Sequence, residues 1–250
     1  MGRNMTTKSI ETIQGIEVRP LTLYKPYGSS DGMFQDLGYD CTYEYEPEST
    51  TEMAAVQNAF DYEEMRIDLP DPIPMWGMGP RMKQVDMPRS EPWAWPVMST
   101  DMLDALRSLG DFPHVARRTE IFDMDLGNAP TPEQIAAPPP VFENFIVLHL
   151  TQHLRAIDYR RSDYTYLNYE TYKEQEKPTD EAEMERLITE EIPIAPQKLV
   201  LTLREDELPP VFRLKSWSTD LFIPPATRER IERERLRNVA YLEETVYVRV

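Results

Sequence analysis

His114, His149 and His153 are the three imidazoles of this 250-residue chain, so every metal or general-base arrangement built on histidine can be enumerated. The run His149-Leu-Thr-Gln-His153 has the i, i+4 spacing that puts two rings on one face of a helix. Asp158, five residues on, could supply a third ligand or a carboxylate that orients one ring. Together they would make the centre of a metal-dependent hydrolase. Two features weigh against it. A hydrolytic HExxH site carries its general base directly after the first histidine, where this chain has Leu150. The preceding Phe145-Ile-Val-Leu148 favours a strand, on which residues four apart stand about 13 Å from each other. Ordinary hydrogen-bonded histidines are the competing reading, and no cofactor is expected.

Nucleophiles and phosphate cradles are no better supplied. Cys41 sits between Asp40 and the nearby Glu44, surroundings that raise a thiol pKa rather than expose a thiolate. Ser99 lacks the Gly-x-Ser-x-Gly elbow and precedes Thr100-Asp101, as a helix cap does. Gly77-Met-Gly79 has no third glycine and no following helix pattern to hold a dinucleotide. Acidic pairs (Glu63 with Glu64, Asp123 with Asp125, Glu243 with Glu244) read as solvated charge in so acidic a chain.

The charge itself is more informative. There are 27 Lys and Arg against 44 Asp and Glu, a net charge of −17. A phosphate backbone needs a positive surface, so direct nucleic-acid binding is excluded as a primary role. Between Pro26 and Pro80 there are twelve acidic residues and one basic one, Arg66. One cysteine rules out an intrachain disulfide and fits a reducing compartment. The first ten residues lack the apolar run of a secretion signal, and no stretch approaches membrane-spanning length. A cytoplasmic protein with no membrane partner is expected.

Elements that must position these residues can be read from pattern. The acidic, tyrosine-rich stretch alternates at Tyr39, Cys41, Tyr43 and Tyr45, which predicts short strands and turns. From Pro70 to Pro96 seven prolines predict an extended connector without helix or central strand, strapped to the core by Trp76, Trp93 and Trp95. Val97-Met98 reads as a strand. Ser99 then caps a helix through Leu109, with Met102, Leu103, Leu106 and Leu109 as its apolar stripe and Gly110 as its stop. Strands follow at 118–124 and 141–150, with a turn of helix at 131–137 between them. A short capped helix is predicted over 179–190, strands at 198–203 and 211–214, a helix from Pro224 or Pro225 to about Arg237, and strands at 239–242 and 246–250. The arginines of that last helix read as a charge-laced exposed face, with docking onto the acidic N-terminal half as an alternative. Short helices among mostly local strands predict an α+β fold with a mixed, largely antiparallel sheet. Residues 1–91 form an acidic N-terminal region whose proline-rich connector begins near 70. Residues 92–250 form an α+β unit, separate from it or continuous with it.

The words Trp95-Pro-Val-Met-Ser99, the helix from Leu103 to Gly110, Phe145 to Leu150, Ala156-Ile-Asp158, Tyr159 to Ser162, Val211-Phe-Arg-Leu214, Leu221-Phe-Ile-Pro224 and Val239-Ala-Tyr-Leu242 occur in an informative order. Over about residues 92–244 that order resembles a bacterial immunity-protein family, formerly filed as a domain of unknown function and typified by a myxobacterial protein. The resemblance implies a protein that binds and neutralises a cognate polymorphic toxin, with no catalytic residues and no cofactor. Asp158 and Ser162, read by themselves, look like a turn that hydrogen-bonds its own backbone. The acidic charge then suggests a basic, nucleic-acid-acting toxin as partner, met by Tyr39, Tyr43, Glu44, Tyr45, Glu46, Glu48, Asp61, Glu63, Glu64 and Asp68. The alternatives are the hydrolase on His149, His153 and Asp158, and a non-catalytic scaffold or assembly subunit. Homo-oligomerisation stays open.

Overall fold

In a computed structural model, residues 10–28, 40–43, 49–91, 95–123, 141–166, 177–192, 194–217 and 220–250 are described. The expected helical turn at 131–137, Trp93 and Asp125 lie outside them. The fold is α+β, with short helices against mixed, largely antiparallel sheets.

One sheet is closed by the two ends of the described chain. Strand β1 (Glu11–Ile13) turns at Gln14 and Gly15, both at positive φ, into β2 (Ile16–Gly28). Strand β12 (Val239–Arg249) lies antiparallel to β2 from Val18↔Arg249 to Gly28↔Val239. It is one continuous strand where two were expected. Parallel to β12 runs β11 (Ile194–Arg204), and β10 (Asp163–Tyr166) completes the order β1-β2-β12-β11-β10. Pro20 and Pro26 fit inside β2 for a geometric reason. Tyr24 exchanges both backbone hydrogen bonds with Ile223, at 3.0 and 2.8 Å, so its polar groups face away from β12. Bonding direction alternates along a strand, so both prolines face the same way and remove no bond to β12.

The second sheet has the order β5 (Ser90–Glu91), β3 (Cys41–Thr42), β4 (Ile73–Gly77), β7 (His114–Asp123), β9 (Phe145–Leu150), β6 (Val97–Ser99), with β8 (Val141–Phe142) extending the β9 side of β7. Strand β4 corrects the expectation that prolines exclude a central strand here. It lies between β3 and β7 despite Pro74, because β3 reaches only Trp76 and Gly77. Pro74 therefore has a neighbour on one side alone. Among the described tryptophans, Trp95 holds this stretch to the core and Trp76 packs on Phe122. Trp95 is buried, donates its indole N–H to the Val56 carbonyl at 2.9 Å, and stacks on Tyr43.

Helix α1 (Thr50–Gln57) was not expected in the acidic segment. Ser49 caps it by accepting from the Glu52 N–H at 3.2 Å, and Glu52, Met53, Ala54, Ala55 and Gln57 are good helix formers. Only Val56 of this helix is buried, which is why no apolar stripe announced it. After the single-turn α2 (Gly79–Met82), helix α3 (Thr100–Arg107) begins as its sequence requires: the Ser99 hydroxyl accepts from the Met102 N–H at 3.1 Å and donates to Asp86 at 3.0 Å. Met102, Leu103 and Leu106 are buried, but Leu109 is exposed because the helix has already ended. Ser99→Ala removes the cap and one bond to buried Asp86. It should lower stability by about 1–2 kcal/mol, read as a Tm fall of a few degrees with the far-UV spectrum unchanged.

Helix α4 (Glu181–Thr189) is capped by Asp180, while Thr179 bonds the Glu183 carboxylate. Helix α5 (Pro225–Arg233) stops short of Arg237 because Arg235 and Asn238 turn left-handed, at φ 57° and 63°. Arg228 pairs with Glu232 and lies over the Tyr24 and Tyr241 rings, Arg230 pairs with Glu234, and Arg237 reaches Asp86. Two of these partners, Tyr24 and Asp86, lie in the N-terminal half of the chain; the others belong to the C-terminal part.

Strand β9 is buried along its whole length, which explains its unbroken apolar sequence. Phe145 and Val147 point into one core with Phe60, Ile73, Trp95 and Ile121. Ile146, Leu148 and Leu150 enter another with Met98, Met102, Leu106 and Ile231. A third core joins Leu21, Leu23, Leu201, Val246 and Val248 to Phe212, Phe222 and Met184.

Candidate functional site

Charged groups converge where the segment between α1 and β4 crosses the end of β9. Asp61–Pro72 forms a strap. Among the described residues, Tyr62 to Pro72 exchange no backbone–backbone hydrogen bond with the rest of the chain. The strap is held from beneath by side chains. Asp61 is paired with Arg213 at 2.8 Å, the two side chains 3% and 2% exposed. The His149 Nε2–H donates to the Tyr62 carbonyl at 2.9 Å; a carbonyl only accepts, which fixes that tautomer. The two oxygens of Glu63 accept from the His153 backbone N–H at 2.8 Å and from Lys215 Nζ at 3.3 Å. Leu69 is buried, and Met65 and Ile67 pack on the core below. The alternate residues Glu64, Arg66, Asp68 and Pro70 face solvent, with the Arg66 guanidinium 3.4 Å from the centre of the Tyr62 ring.

The floor beneath the strap comes from two chain segments locked together. Leu154 donates to the Arg213 carbonyl at 2.8 Å, and Lys215 donates to the Leu154 carbonyl at 3.1 Å. Arg155 bonds Glu181 and lies 3.9 Å from Glu63, while Lys215 lies 3.7 Å from Glu185, which ties the floor to α4.

Burial governs the electrostatics. It pushes the Asp61 carboxyl up from its ordinary value and the Arg213 guanidinium down, each opposed by the charge of the other. Burial also raises Glu63, but the bonds from His153 and Lys215 outweigh it and leave this carboxyl below the ordinary glutamate value. Burial first, then repulsion from neighbouring cations, lowers both histidines; the Tyr62 carbonyl opposes this at His149, and His153 falls to about 4. Both rings are therefore neutral at pH 7. Asp61 Oδ2, Arg213 Nε and His153 Nε2 are buried without a hydrogen-bond partner, so this network is only partly satisfied.

The proposed metal set is not assembled. His149 and His153 are both in the floor, but Asp158 bonds Arg161 at 2.8 Å and the Arg161 N–H at 3.3 Å, while its carbonyl accepts from Ser162 Oγ. That is the backbone-bonded turn expected of Asp158 and Ser162. Among the described residues no three His, Cys, Asp or Glu side chains are grouped so as to hold a metal ion. Cys41 is buried, and burial pushes its thiol far above the ordinary value.

The proposed partner contacts divide sharply. Asp61 is buried in its ion pair and Tyr43 stacks on Trp95, so both serve the interior. Glu63 is half-buried, Glu64 and Asp68 are exposed, and Tyr39, Glu44, Tyr45, Glu46 and Glu48 lie outside the described residues. Arg213 is the residue that sequence reasoning missed. Its signal was a charge inside an apolar word, Val211-Phe-Arg-Leu214, where a buried arginine needs a buried acid.

Among the described residues no helix is long and apolar enough to cross a membrane. No protein-family model matches the chain, and no curated protein matches it.

Proposed function

We propose that this chain is a binding protein of the immunity type, which neutralises a cognate toxin domain by covering a basic surface on it. The observation that carries this reading is the strap. Its outward charges, Glu64 and Asp68 with Arg66 between them, are presented on a backbone fixed from below by Asp61, Glu63 and Leu69. A preorganised acidic face loses little entropy on binding, and its field speeds encounter with a cationic partner. The net charge of −17 and the resemblance over residues 92–244 support the same role. Such an inhibitor needs no chemistry of its own.

The test is to look immediately upstream of this gene for a large secreted protein with a C-terminal toxin domain, and to co-express the chain with that domain. Growth should be rescued and a stoichiometric complex recovered; continued killing with no complex would sink the proposal. Within a complex, the double charge reversal Glu64→Lys with Asp68→Lys should weaken affinity about tenfold at low salt, mostly through slower association. Unchanged association kinetics would place the contact face elsewhere.

A further inference from the structure

A segment joined to its protein through side-chain contacts, several of them titratable, can detach without the sheets coming apart. We infer that the strap Asp61–Pro72 is an acid-released latch, which lifts as a unit from the His149–His153–Arg213 floor while both sheets stay folded.

The geometry carries this. The strap has no ladder bonds to break, and local opening begins where backbone bonding is sparse. What holds it is Asp61 on Arg213, Tyr62 on His149, Glu63 on His153 and Lys215, and Asp71 on Arg118 at 3.3 Å, together with the apolar packing of Met65, Ile67 and Leu69, which does not depend on pH. The floor is also partly unsatisfied, with His153 Nε2 and Arg213 Nε unpaired. Lifting the strap gives both histidines access to water and protons.

The groups facing the two rings set the direction. The strap contributes Asp61 and Glu63, the 211–217 segment Arg213 and Lys215, β7 Arg117, and the loop after β9 Arg155. Behind these stand Glu181 and Glu185 on α4, and Asp220 near the buried pair. The closed form holds both imidazoles neutral, with values below the ordinary 6.5, whereas the open form lets them charge. Closure is therefore fully favoured above about pH 6.5 and weakens as pH falls toward 4. Glu63, depressed when closed, adds to the loss below its ordinary 4.5. Asp61, raised when closed, acts in the opposite sense and tempers the lower end.

Release of a bound partner at acid pH would follow, a consequence that rests on the strap being the contact face; the opening itself does not. Glutamyl endopeptidase cuts after Glu63 or Glu64 only if the strap leaves its floor. Its rate on the full chain, divided by its rate on a free peptide of residues 58–72, should be roughly tenfold higher at pH 5 than at pH 7. The far-UV spectrum should not change over that range, and His149→Gln with His153→Gln should flatten the rise. A ratio that does not change with pH, a rise that persists in a folded double variant, or cleavage that tracks loss of the sheet spectrum would each overturn the latch. If the double variant fails to fold, the imidazole C2–H resonances of the native chain decide. They must titrate over the same pH window as cleavage, and a mismatch rejects the coupling. No partner is needed, so this outcome is independent of the toxin rescue.

Discussion

Deleting residues 1–28 is expected to leave a chain that does not fold. Strand β2 buries Val18, Leu21 and Leu23 and pairs with β12 from Val18 to Gly28. Burying each of those side chains contributes about 1.5–3 kcal/mol, and each ladder bond about 0.5–1.5 kcal/mol. Their sum exceeds the roughly 5–15 kcal/mol by which a whole domain is stable. The loss would also strip one flank of β12 and open the core around Phe212 and Phe222. A fragment of residues 92–250 should fail in the same way. Circular dichroism, thermal melting and gel filtration provide the check: a cooperative transition in the 92–250 fragment would show that β2 is dispensable.

Arg213→Ala is expected to be the most damaging single substitution at the site. It leaves Asp61 buried with no counter-charge, a change that typically costs about 3–5 kcal/mol. For a chain of this length that is a Tm fall of about 10 °C or more. The loss should shrink as pH falls, because Asp61, already raised by burial, then takes up a proton and enters the interior neutral. Replacing both members with apolar side chains, Asp61→Leu with Arg213→Met, should recover most of the stability, since no buried charge is left unmatched. Urea melts of the native protein and the two variants at pH 7 and pH 5 measure both effects. A single variant as stable as the native protein would mean that the pair contributes nothing to the fold.

Legibility of the sequence followed the physics of each element. Helix α3 was readable because its cap, its apolar stripe and its glycine all agree, and β9 because a strand buried on both faces has an unbroken apolar sequence. Helix α1 was not, since burying one residue produces no periodic signal. Strand β4 was hidden by Pro74, whose tolerance depends on how far β3 extends along it, a tertiary fact absent from local sequence. At the site, both histidines were singled out, but for a metal-ligand spacing that the strand geometry does not use. The acid that matters most, Asp61, was named as a surface contact, and its partner lies 152 positions away. Nothing in either segment alone identifies such a pairing.

The two prolines of β2 bear on how this protein behaves when crowded. Sheet rims recruit other chains by offering a row of free amide donors, the usual start of fibre growth and of unwanted dimers. Along the outer rim of β2, Pro20 and Pro26 lack that hydrogen, and Tyr24 between them is already engaged by Ile223. An incoming strand would find the row interrupted at three of the four outward positions from Pro20 to Pro26, Thr22 being the exception. The long strand that joins the two ends of the chain is thus also a poor seed for self-assembly, which lets an extended and only partly covered sheet persist at high concentration.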